Sequence, residues 1–482
     1  MSRFPADKPA TPQRASNSVT NSSRVYALLT IVLGAIGAIP LILLTPPFQV
    51  PDEIQHFFRA YEISEFRIHA QAQNGVGGDA IPKSMIQLST SLTPLPNGDI
   101  SYHLPPSPLR TTLSHLSTPL QAGDMAFARF PGSAYYSPIA YLPQALGIAV
   151  ARALGLGPLY LFYFGRLFNC LCAIMLVAWA VYRMPFAKEI VIIVGFLPMS
   201  LYLFASLSAD ASVISCALLF TAISISAQSR GEWNRSDLIV LSVTGAIFCS
   251  LKPVYAPLLV AGLIPGLFRR SEAPRIIRAQ LTILSISLGA TAAWLIGTKS
   301  AMTLPHSGAN PPLQMLFIAS HPAALVRAIA HTIFPARLLY FFIGSIGLLG
   351  WADVILQPIL VYALPVLSFA LVWLLGPNLK ARLTVLQSLW YLILVILSGL
   401  LVMTALYVTW CRVGQNMIEG IQGRYFIPTL ALAGIAVLRW APNWGQKEGK
   451  WVALTGLIGI ILIQVAAKDL TVIQAFGLFS PG

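Results

Sequence analysis

Long apolar stretches, separated by polar segments, occupy most of the chain. A helix needs about 20 mostly apolar residues to cross a lipid bilayer. On this criterion the sequence predicts an all-α fold, a polytopic transmembrane helical bundle of about 11 spans, within a range of about 10–13. The predicted spans lie at 26–45, 160–181, 188–206, 209–227, 236–250, 254–268, 279–298, 355–375, 383–407, 425–439 and 451–468.

The polar segments between these stretches define the predicted domain organisation. Residues 1–25 are rich in Ser, Thr, Pro and Asn and are predicted to form a disordered cytoplasmic tail. No convincing small-residue cleavage site follows the first apolar stretch, so we expect it to remain as the first span of one transmembrane domain, 26–470. Two large segments, 46–159 and 299–354, are predicted to form loops on the outer side.

Two further segments are predicted to lie along the outer membrane surface. Residues 134–154 are apolar enough for a span, but Pro138 and Pro143 interrupt them. We therefore predict a juxtamembrane or re-entrant helix there, as part of the first outer loop. The stretch 323–342 is amphipathic and is predicted to form a helix in the membrane interface.

The composition excludes a water-soluble protein. The chain is 56% hydrophobic and 10% charged, with a mean hydropathy of +0.72, whereas soluble domains are about 25% charged. A net charge of +14 would favour nucleic-acid binding in a soluble protein. In a membrane protein it reflects the Lys and Arg residues of the cytoplasmic loops. We expect membrane lipids as partners and no nucleic acid.

The basic residues predict the orientation. With the N-terminus in the cytoplasm, every predicted inner segment carries at least two Lys or Arg residues, among them Arg24, Arg183, Arg230, Arg275 and Lys380. The five cysteines have no spacing that suits a zinc site or a disulfide framework, so we interpret them as small core residues.

With this orientation, four polar clusters lie at the outer ends of the predicted helices. They are the segments 46–61, 206–210, 251–255 and 411–428, which contain Asp52, Glu53, His56, Arg59, Asp210, Lys252, Tyr255, Arg412, Arg424 and Tyr425. Ionisable residues near a membrane are costly and usually functional. A carboxylate there would act as general base for a hydroxyl nucleophile, and the cations would bind a phosphate and neutralise its charge as it leaves.

Each cluster also has a purely structural interpretation. A carboxylate after a proline often caps a helix, a lysine at a helix end often extends toward water, and an arginine there often binds a lipid phosphate. Helix capping is the alternative for Asp52, Glu53 and Asp210. Extension toward water is the alternative for Lys252, and lipid binding is the alternative for Arg424.

The same clusters carry a resemblance to a known family. The motifs are Pro46-Pro47-Phe48-Gln49-Val50-Pro51-Asp52-Glu53, Ser208-Ala209-Asp210, Lys252-Pro253-Val254-Tyr255, Gly347-Leu348-Leu349-Gly350-Trp351-Ala352-Asp353 and Gln422-Gly423-Arg424-Tyr425-Phe426-Ile427-Pro428. In them the chain resembles, over most of its length, a bacterial family of polytopic membrane proteins catalogued as a domain of unknown function. That family looks like a member of the GT-C superfamily of membrane glycosyltransferases.

The resemblance implies a fold and a reaction. GT-C enzymes have a first span, a large outer loop with juxtamembrane helices and an acidic motif near the start of that loop. They transfer a sugar from a polyprenyl-phosphate carrier to an acceptor outside the cytoplasm. The resemblance implies a lipid-linked sugar as donor, an envelope glycan or lipid as acceptor, and inversion at the anomeric carbon. It also implies a multi-pass protein of the bacterial inner membrane with a periplasmic or extracellular active face.

Residue roles follow from the same resemblance. Asp52 would be the catalytic base and Glu53 would assist it, while Lys252 and Arg424 would hold the carrier phosphate. The remaining candidates for substrate or phosphate binding are His56, Arg59, Asp210, Tyr255, Arg412 and Tyr425. Some GT-C enzymes need a divalent metal and others do not, and any metal here would be bound by Asp52, Glu53 and His56.

Two other functions stay open. A transporter or flippase of lipid-linked sugars would use the same cations, but it would place charged residues deep within its spans. A non-catalytic assembly protein of envelope polysaccharide synthesis would tolerate replacement of the outer carboxylates.

Overall fold

The computed structural model describes residues 12–93, 108–263, 273–298, 308–351, 354–375, 383–441 and 449–476, and these are mostly helical. Residues 1–11 of the predicted tail and Ala352-Asp353 of the fourth motif lie outside them. The first helix begins at Pro12, within the segment predicted to be a disordered tail.

The first part of the chain forms one long helix and then a small mixed layer. Its helices are α1 (Pro12–Leu44), α2 (Glu53–Ser64), α3 (Lys83–Leu92), α4 (Pro108–Ser114), α5 (Pro131–Ala134) and α6 (Leu142–Ala153). Its strands are β1 (Gln71–Gln73), β2 (Val76–Pro82) and β3 (Met125–Arg129).

These three strands form an antiparallel sheet in the order β1-β2-β3, which the all-α prediction missed. The two-residue turn Asn74-Gly75 joins β1 to β2, with φ of 53° and 73°. Asn-Gly is the pair that best tolerates positive φ at both positions of such a hairpin. The signal was therefore present in the sequence.

The segment predicted to lie along the outer surface is not a single helix. A 3-10 turn at Pro138–Tyr141 precedes α6, which has only 12 residues. The two prolines lie at the first turns of these elements, where a missing N–H costs nothing.

The middle of the chain forms the buried centre of the bundle. It contains α7 (Pro158–Arg183), α8 (Lys188–Gly195), α9 (Pro198–Phe204), α10 (Asp210–Arg230), α11 (Arg235–Leu251), a 3-10 helix at Pro253–Val260 and α12 (Ala273–Gly297). The central helix is α10, whose residues are buried almost from end to end.

The last part contains α13 (Pro311–Ser320), α14 (Pro322–Thr332), α15 (Pro335–Ile346), β4 (Leu348–Leu349), β5 (Val354–Ile355), α16 (Pro358–Leu375), α17 (Val385–Thr409), a 3-10 helix at Gly423–Phe426, α18 (Ile427–Leu438) and α19 (Gly449–Ala475). Thr384 and Gln387 form a capping box at the start of α17. The predicted interfacial helix 323–342 is divided between α14 and α15, and Pro335 begins the second.

Among the described residues, six helices are long and apolar enough to cross a membrane, by length and composition: Ser22–Leu44, Pro158–Arg183, Asp210–Arg230, Ala273–Gly297, Val385–Thr409 and Val452–Ala475. The pair α13 and α14, bent by 105°, makes a seventh if it counts as one span. Where they are described, the other predicted spans form shorter or broken helices, and residues 264–268 of the span 254–268 lie outside the described part of the chain. The count of eleven is not confirmed.

One predicted span takes an unexpected form. Residues 254–263 run from the Asp210 end of α10, where Lys252 lies, to the Arg230 end, where Gly262 packs against Trp233. They do so mainly as a 3-10 helix, which rises about 2 Å per residue. Such irregular backbone is tolerated at membrane depth because neighbouring protein satisfies it: Trp390 and Gln228 donate to the carbonyls of Val260 and Ala261.

Candidate functional site

The turn between α1 and α2 has an unusual backbone. Phe48 and Asp52 both adopt the left-handed region, with φ of 66° and 64°, which is uncommon for residues other than glycine. Such backbone persists only where the surrounding structure holds it, and it clusters at functional sites.

Glu53 is the anchor of this turn. It is fully buried, and its carboxylate accepts from Arg166 at 2.8 Å (Nε to Oε1) and 2.7 Å (Nη2 to Oε2). The backbone amides of Phe48 and Leu207 also donate to it, each at 3.1 Å. Because both oxygens are engaged twice, Glu53 has no face left for substrate or metal. Its geometry fits a positioning role instead of the predicted catalytic assistance.

Arg166 is the residue that sequence reasoning missed. Its remaining N–H groups donate to the carbonyls of Ile42, Thr45 and Pro46 at 2.9, 2.7 and 3.2 Å. One buried guanidinium therefore ties α7 to the end of α1 and to the start of α2. The signal was a lone charge within the predicted span 160–181, which is costly unless fully paired.

Asp52 differs from Glu53 in its exposure and in its contacts. Its side chain is 46% exposed, and it makes no capping hydrogen bond to α2, although it occupies the N-cap position. The helix-capping alternative therefore fails. Its Oδ2 lies 3.6 Å from Nη2 of Arg424.

Asp210 and two cations complete the group that we call the carboxylate cluster: Asp52, Asp210, Lys252 and Arg424. Asp210 begins α10 and forms a close ion pair with Lys252, and its Oδ2 lies 3.5 Å from Nε of Arg424. The four groups come from four separate parts of the chain. Their formal charges cancel.

The position of Arg424 is set by close packing of its 3-10 helix. A Cβ at Gly423 would lie 2.2 Å from the Phe341 carbonyl and from the Ser345 nitrogen, so only glycine fits against α15. On the other side, the Tyr255 hydroxyl donates to the Tyr425 carbonyl at 2.7 Å. The Tyr425 ring lies 4.6 Å from the Lys252 ammonium and 5.6 Å from the Arg424 guanidinium carbon.

Arg424 also faces a cavity. The cavity has a volume of about 70 Å³, and Pro51, Tyr202, Gly350 and Trp351 contribute to its wall. The Arg424 side chain is 7% exposed, yet among the described residues its Nε makes no hydrogen bond and has only the long 3.5 Å ion-pair contact with Asp210. A buried guanidinium with an unused donor is well suited to binding an anion.

A histidine and three tyrosines border the cluster. His56 Nδ1 lies 2.6 Å from the Tyr141 hydroxyl, and its ring stacks on that of Tyr136 at 6.4 Å. Tyr135 contacts Tyr136 edge-on, with centroids 4.7 Å apart. Burial lowers the pKa of His56 to about 4, against the opposing effect of Asp52, so this histidine is neutral at pH 7. Sequence reasoning missed the tyrosines, since no motif marks them.

Two predicted site residues do not join the cluster. Arg59 is fully buried and is bound by Glu62 and by the carbonyls of Ile68 and Tyr136. It lies behind the tyrosines and holds the backbone carbonyl of Tyr136. Arg412 is exposed and pairs with Ala309 in an isolated bridge.

The predicted metal ligands are only partly available to a metal ion. Within the described ranges, no group of three or more His, Cys, Asp or Glu side chains is arranged to hold a metal ion. Of the three predicted ligands, Glu53 is already bound by Arg166 and His56 by Tyr141. Because the contact with Tyr141 uses only Nδ1 of His56, Asp52 and Nε2 of His56 would remain available to a metal.

Comparison with known proteins gives one match. A family model described as "Predicted membrane protein (DUF2142)" matches residues 36–433, a range that includes every member of the carboxylate cluster. No curated protein and no solved structure matches the chain. Since the matched range covers most of the sequence, the chain belongs to this family of predicted membrane proteins.

Proposed function

We propose that the chain is a membrane glycosyltransferase of GT-C type. It takes a sugar from a polyprenyl-phosphate carrier and transfers it to an envelope glycan or lipid on the non-cytoplasmic face of the bacterial inner membrane. The observation that carries the proposal is an exposed, uncapped carboxylate, Asp52, beside a buried and incompletely paired guanidinium, Arg424.

Asp52 is the catalytic base of this proposal. A general base must reach the hydroxyl that it deprotonates, and it must not be consumed by structural hydrogen bonds. Asp52 meets both conditions, since it is 46% exposed and makes no capping bond. The neighbouring Glu53 meets neither, because it is buried against Arg166.

The cations bind the donor phosphate. Arg424 lines the cavity beside Pro51, and its Nε, which has only the long contact with Asp210, can donate to a phosphate oxygen. Lys252 neutralises Asp210 through its close ion pair. The approach of an anion to Arg424 is therefore not opposed by the second carboxylate.

The reaction is a single displacement. The acceptor oxygen forms a bond to the anomeric carbon while its proton moves to Asp52. The bond from the anomeric carbon to the phosphate oxygen breaks with its electron pair, and polyprenyl phosphate leaves with its negative charge held by Arg424 and Lys252. Attack from the face opposite the phosphate inverts the anomeric configuration. The isoprenoid tail stays in the lipid throughout.

The distribution of charge supports the proposed orientation. The four members of the carboxylate cluster meet at one end of α10, while Arg183 and Arg230 lie at its other end, where both bind Asp237. Basic residues at helix ends favour the cytoplasmic side. The N-terminus is then cytoplasmic and the cluster faces outward.

One observation favours transport of a lipid-linked sugar as the second candidate. Lys468 is fully buried within the candidate span Val452–Ala475 and donates to Asp469 at 2.6 Å and to the Gly37 carbonyl at 2.8 Å. Transporters place charges at such depth. However, this pair lies at the contact of α19 with α1 and not in the carboxylate cluster, so it is more simply a structural bond.

The test is complementation of a deletion strain with Asp52→Asn, with envelope glycans read by mass spectrometry. Asn keeps the size and hydrogen bonding of the side chain but cannot accept the proton. The matched control is Asp124→Asn, which removes a half-exposed carboxylate that pairs with Lys83 away from the cluster. Both proteins are first shown to be made and inserted.

We expect Asp52→Asn to lose one sugar substituent and to accumulate the polyprenyl-linked donor, while Asp124→Asn keeps a normal profile. A normal profile in Asp52→Asn means that Asp52 is not the base. A lost substituent together with donor trapped on the inner leaflet supports transport instead.

A further inference from the structure

A second polar site lies at the opposite end of the bundle from the carboxylate cluster. A cleft of about 690 Å³ opens between the C-terminal end of α10 and the first turns of α11 and α12. Its wall includes Arg230, Trp233, Arg275 and Arg278. The 21 residues of α10 separate it from Asp210 by about 30 Å, the thickness of a bilayer core.

The cleft is strongly basic. Of the described residues in its wall, three carry a guanidinium and one, Glu232, carries a carboxylate. Arg230 is fixed by Asp237 and by the Ser226 hydroxyl, so its guanidinium has a defined position. Arg275 and Arg278 are exposed on the same side of α12. The arrangement offers several donors to one anion, and Arg is the residue best suited to grip a phosphate.

The surroundings of the cleft are those of a lipid and not of a soluble anion. Exposed apolar side chains continue from it along both helices: Ile239 and Val243 on α11, and Ile277 and Leu281 on α12. The Trp233 ring is wedged against Gly262, where an added Cβ would lie 2.5 Å from it. A tryptophan beside cations at a helix end is typical of the membrane–water interface.

We infer that this cleft binds the phosphate headgroup of an anionic phospholipid, with its acyl chains along the apolar faces of α11 and α12. A headgroup phosphate would lie between Arg275 and Arg278, within reach of Arg230. Basic pockets between membrane helices attract anionic lipids, by about 1 kcal/mol per cation near the surface. The inference does not rest on the proposed reaction, because the two sites lie at opposite ends of α10.

The test is native mass spectrometry of the full chain in detergent with phosphatidylglycerol or phosphatidylcholine. The variant is the double substitution Arg275→Gln and Arg278→Gln. The control is Arg110→Gln with Arg327→Gln, which removes two exposed arginines from α4 and α14 and changes the net charge equally. Thermal unfolding in detergent first shows that all proteins are equally stable, and their lipid affinities are then compared.

We expect the wild-type chain to prefer phosphatidylglycerol, and the cleft variant to lose about tenfold or more of this affinity while the control keeps it. Equal losses of lipid affinity in both variants would mean that the affinity depends only on net charge, and would overturn the site. An unchanged affinity in the cleft variant would do the same. If millimolar inorganic phosphate stabilises the wild type as much as the lipid does, the ligand is a soluble anion and the lipid assignment is wrong.

Discussion

Arg166 donates to both carboxylate oxygens of Glu53, at 2.8 and 2.7 Å, and both residues are fully buried. This bond determines which of two adjacent acids is available for chemistry. Glu53 is turned inward and held, and Asp52 is left at the surface of the bundle. The left-handed backbone at Asp52 is the means by which neighbouring residues face opposite ways.

The first prediction concerns this pair. Glu53→Gln removes one charge and leaves Arg166 buried without its counter-ion, which should cost about 3–5 kcal/mol of folding free energy. The measurement is the midpoint of thermal unfolding in detergent. The control is Glu65→Gln, which breaks the more exposed ion pair with Arg152 and should cost at most about 1 kcal/mol. Equal effects of the two changes would contradict the structural role of Glu53.

The second prediction concerns the backbone of Asp52. Asp52→Asn and Asp52→Gly should fold as well as the parent chain, because Asn and Gly tolerate positive φ. Asp52→Ala should be about 1–2 kcal/mol less stable than Asp52→Gly, because the Cβ of alanine meets the following carbonyl in that conformation and glycine has no Cβ. Unfolding midpoints of the three variants test this order. If Ala matches Gly, the left-handed turn does not exist in solution.

The third prediction concerns the packing that positions Arg424. Gly423→Ala should lower the stability by about 3 kcal/mol or displace the 3-10 helix, since the new Cβ meets backbone atoms at 2.2 Å. The matched control is Gly459→Ala in α19, where an added Cβ meets nothing within 4 Å and should stabilise the helix by about 1 kcal/mol. Thermal unfolding measures both changes, and a harmless Gly423→Ala would refute the contact with α15.

The fourth prediction concerns pH. The pKa of His56 is lowered from its usual 6.5 to about 4 by burial. The unfolded chain therefore binds a proton at this position below pH 6.5, while the folded chain does so only near pH 4. Stability contributed by neutral His56 is complete above pH 6.5 and is lost as the pH falls toward 4, by about 3 kcal/mol.

The measurement for His56 is the unfolding midpoint between pH 4 and 7, compared between the parent chain and His56→Gln. Gln keeps a polar partner for Tyr141 but does not titrate. We expect the parent to lose more stability than the variant in this window. Asp52 and Asp210 face His56 and are present in both proteins, so the difference isolates the histidine. Parallel curves would mean that His56 is not buried as a neutral ring.

Much of the candidate site followed from the sequence because its members are chemically conspicuous. Asp52, Asp210, Lys252 and Arg424 are charged residues beside apolar stretches, and charge is scarce in a membrane chain. The predicted orientation placed all four on the same side of the bundle, and the structure brings their side chains together. The sequence did not distinguish Glu53, Arg59 and Arg412 from the members of the carboxylate cluster, because the order of residue types along a chain does not reveal what each side chain contacts.

The sequence by itself determined that this chain is a helical membrane protein and which ionisable residues lie near helix ends. Hydropathy is a local property, since about 20 apolar residues in a row suffice to span a bilayer. Only the tertiary structure decided that the predicted span 188–206 is broken into α8 and α9, and that residues 253–260 form a 3-10 helix. It also decided that Glu53 is bound while Asp52 is exposed. The physical reason is that hydrogen-bond satisfaction inside a membrane protein is a property of neighbours, and those neighbours come from distant parts of the chain.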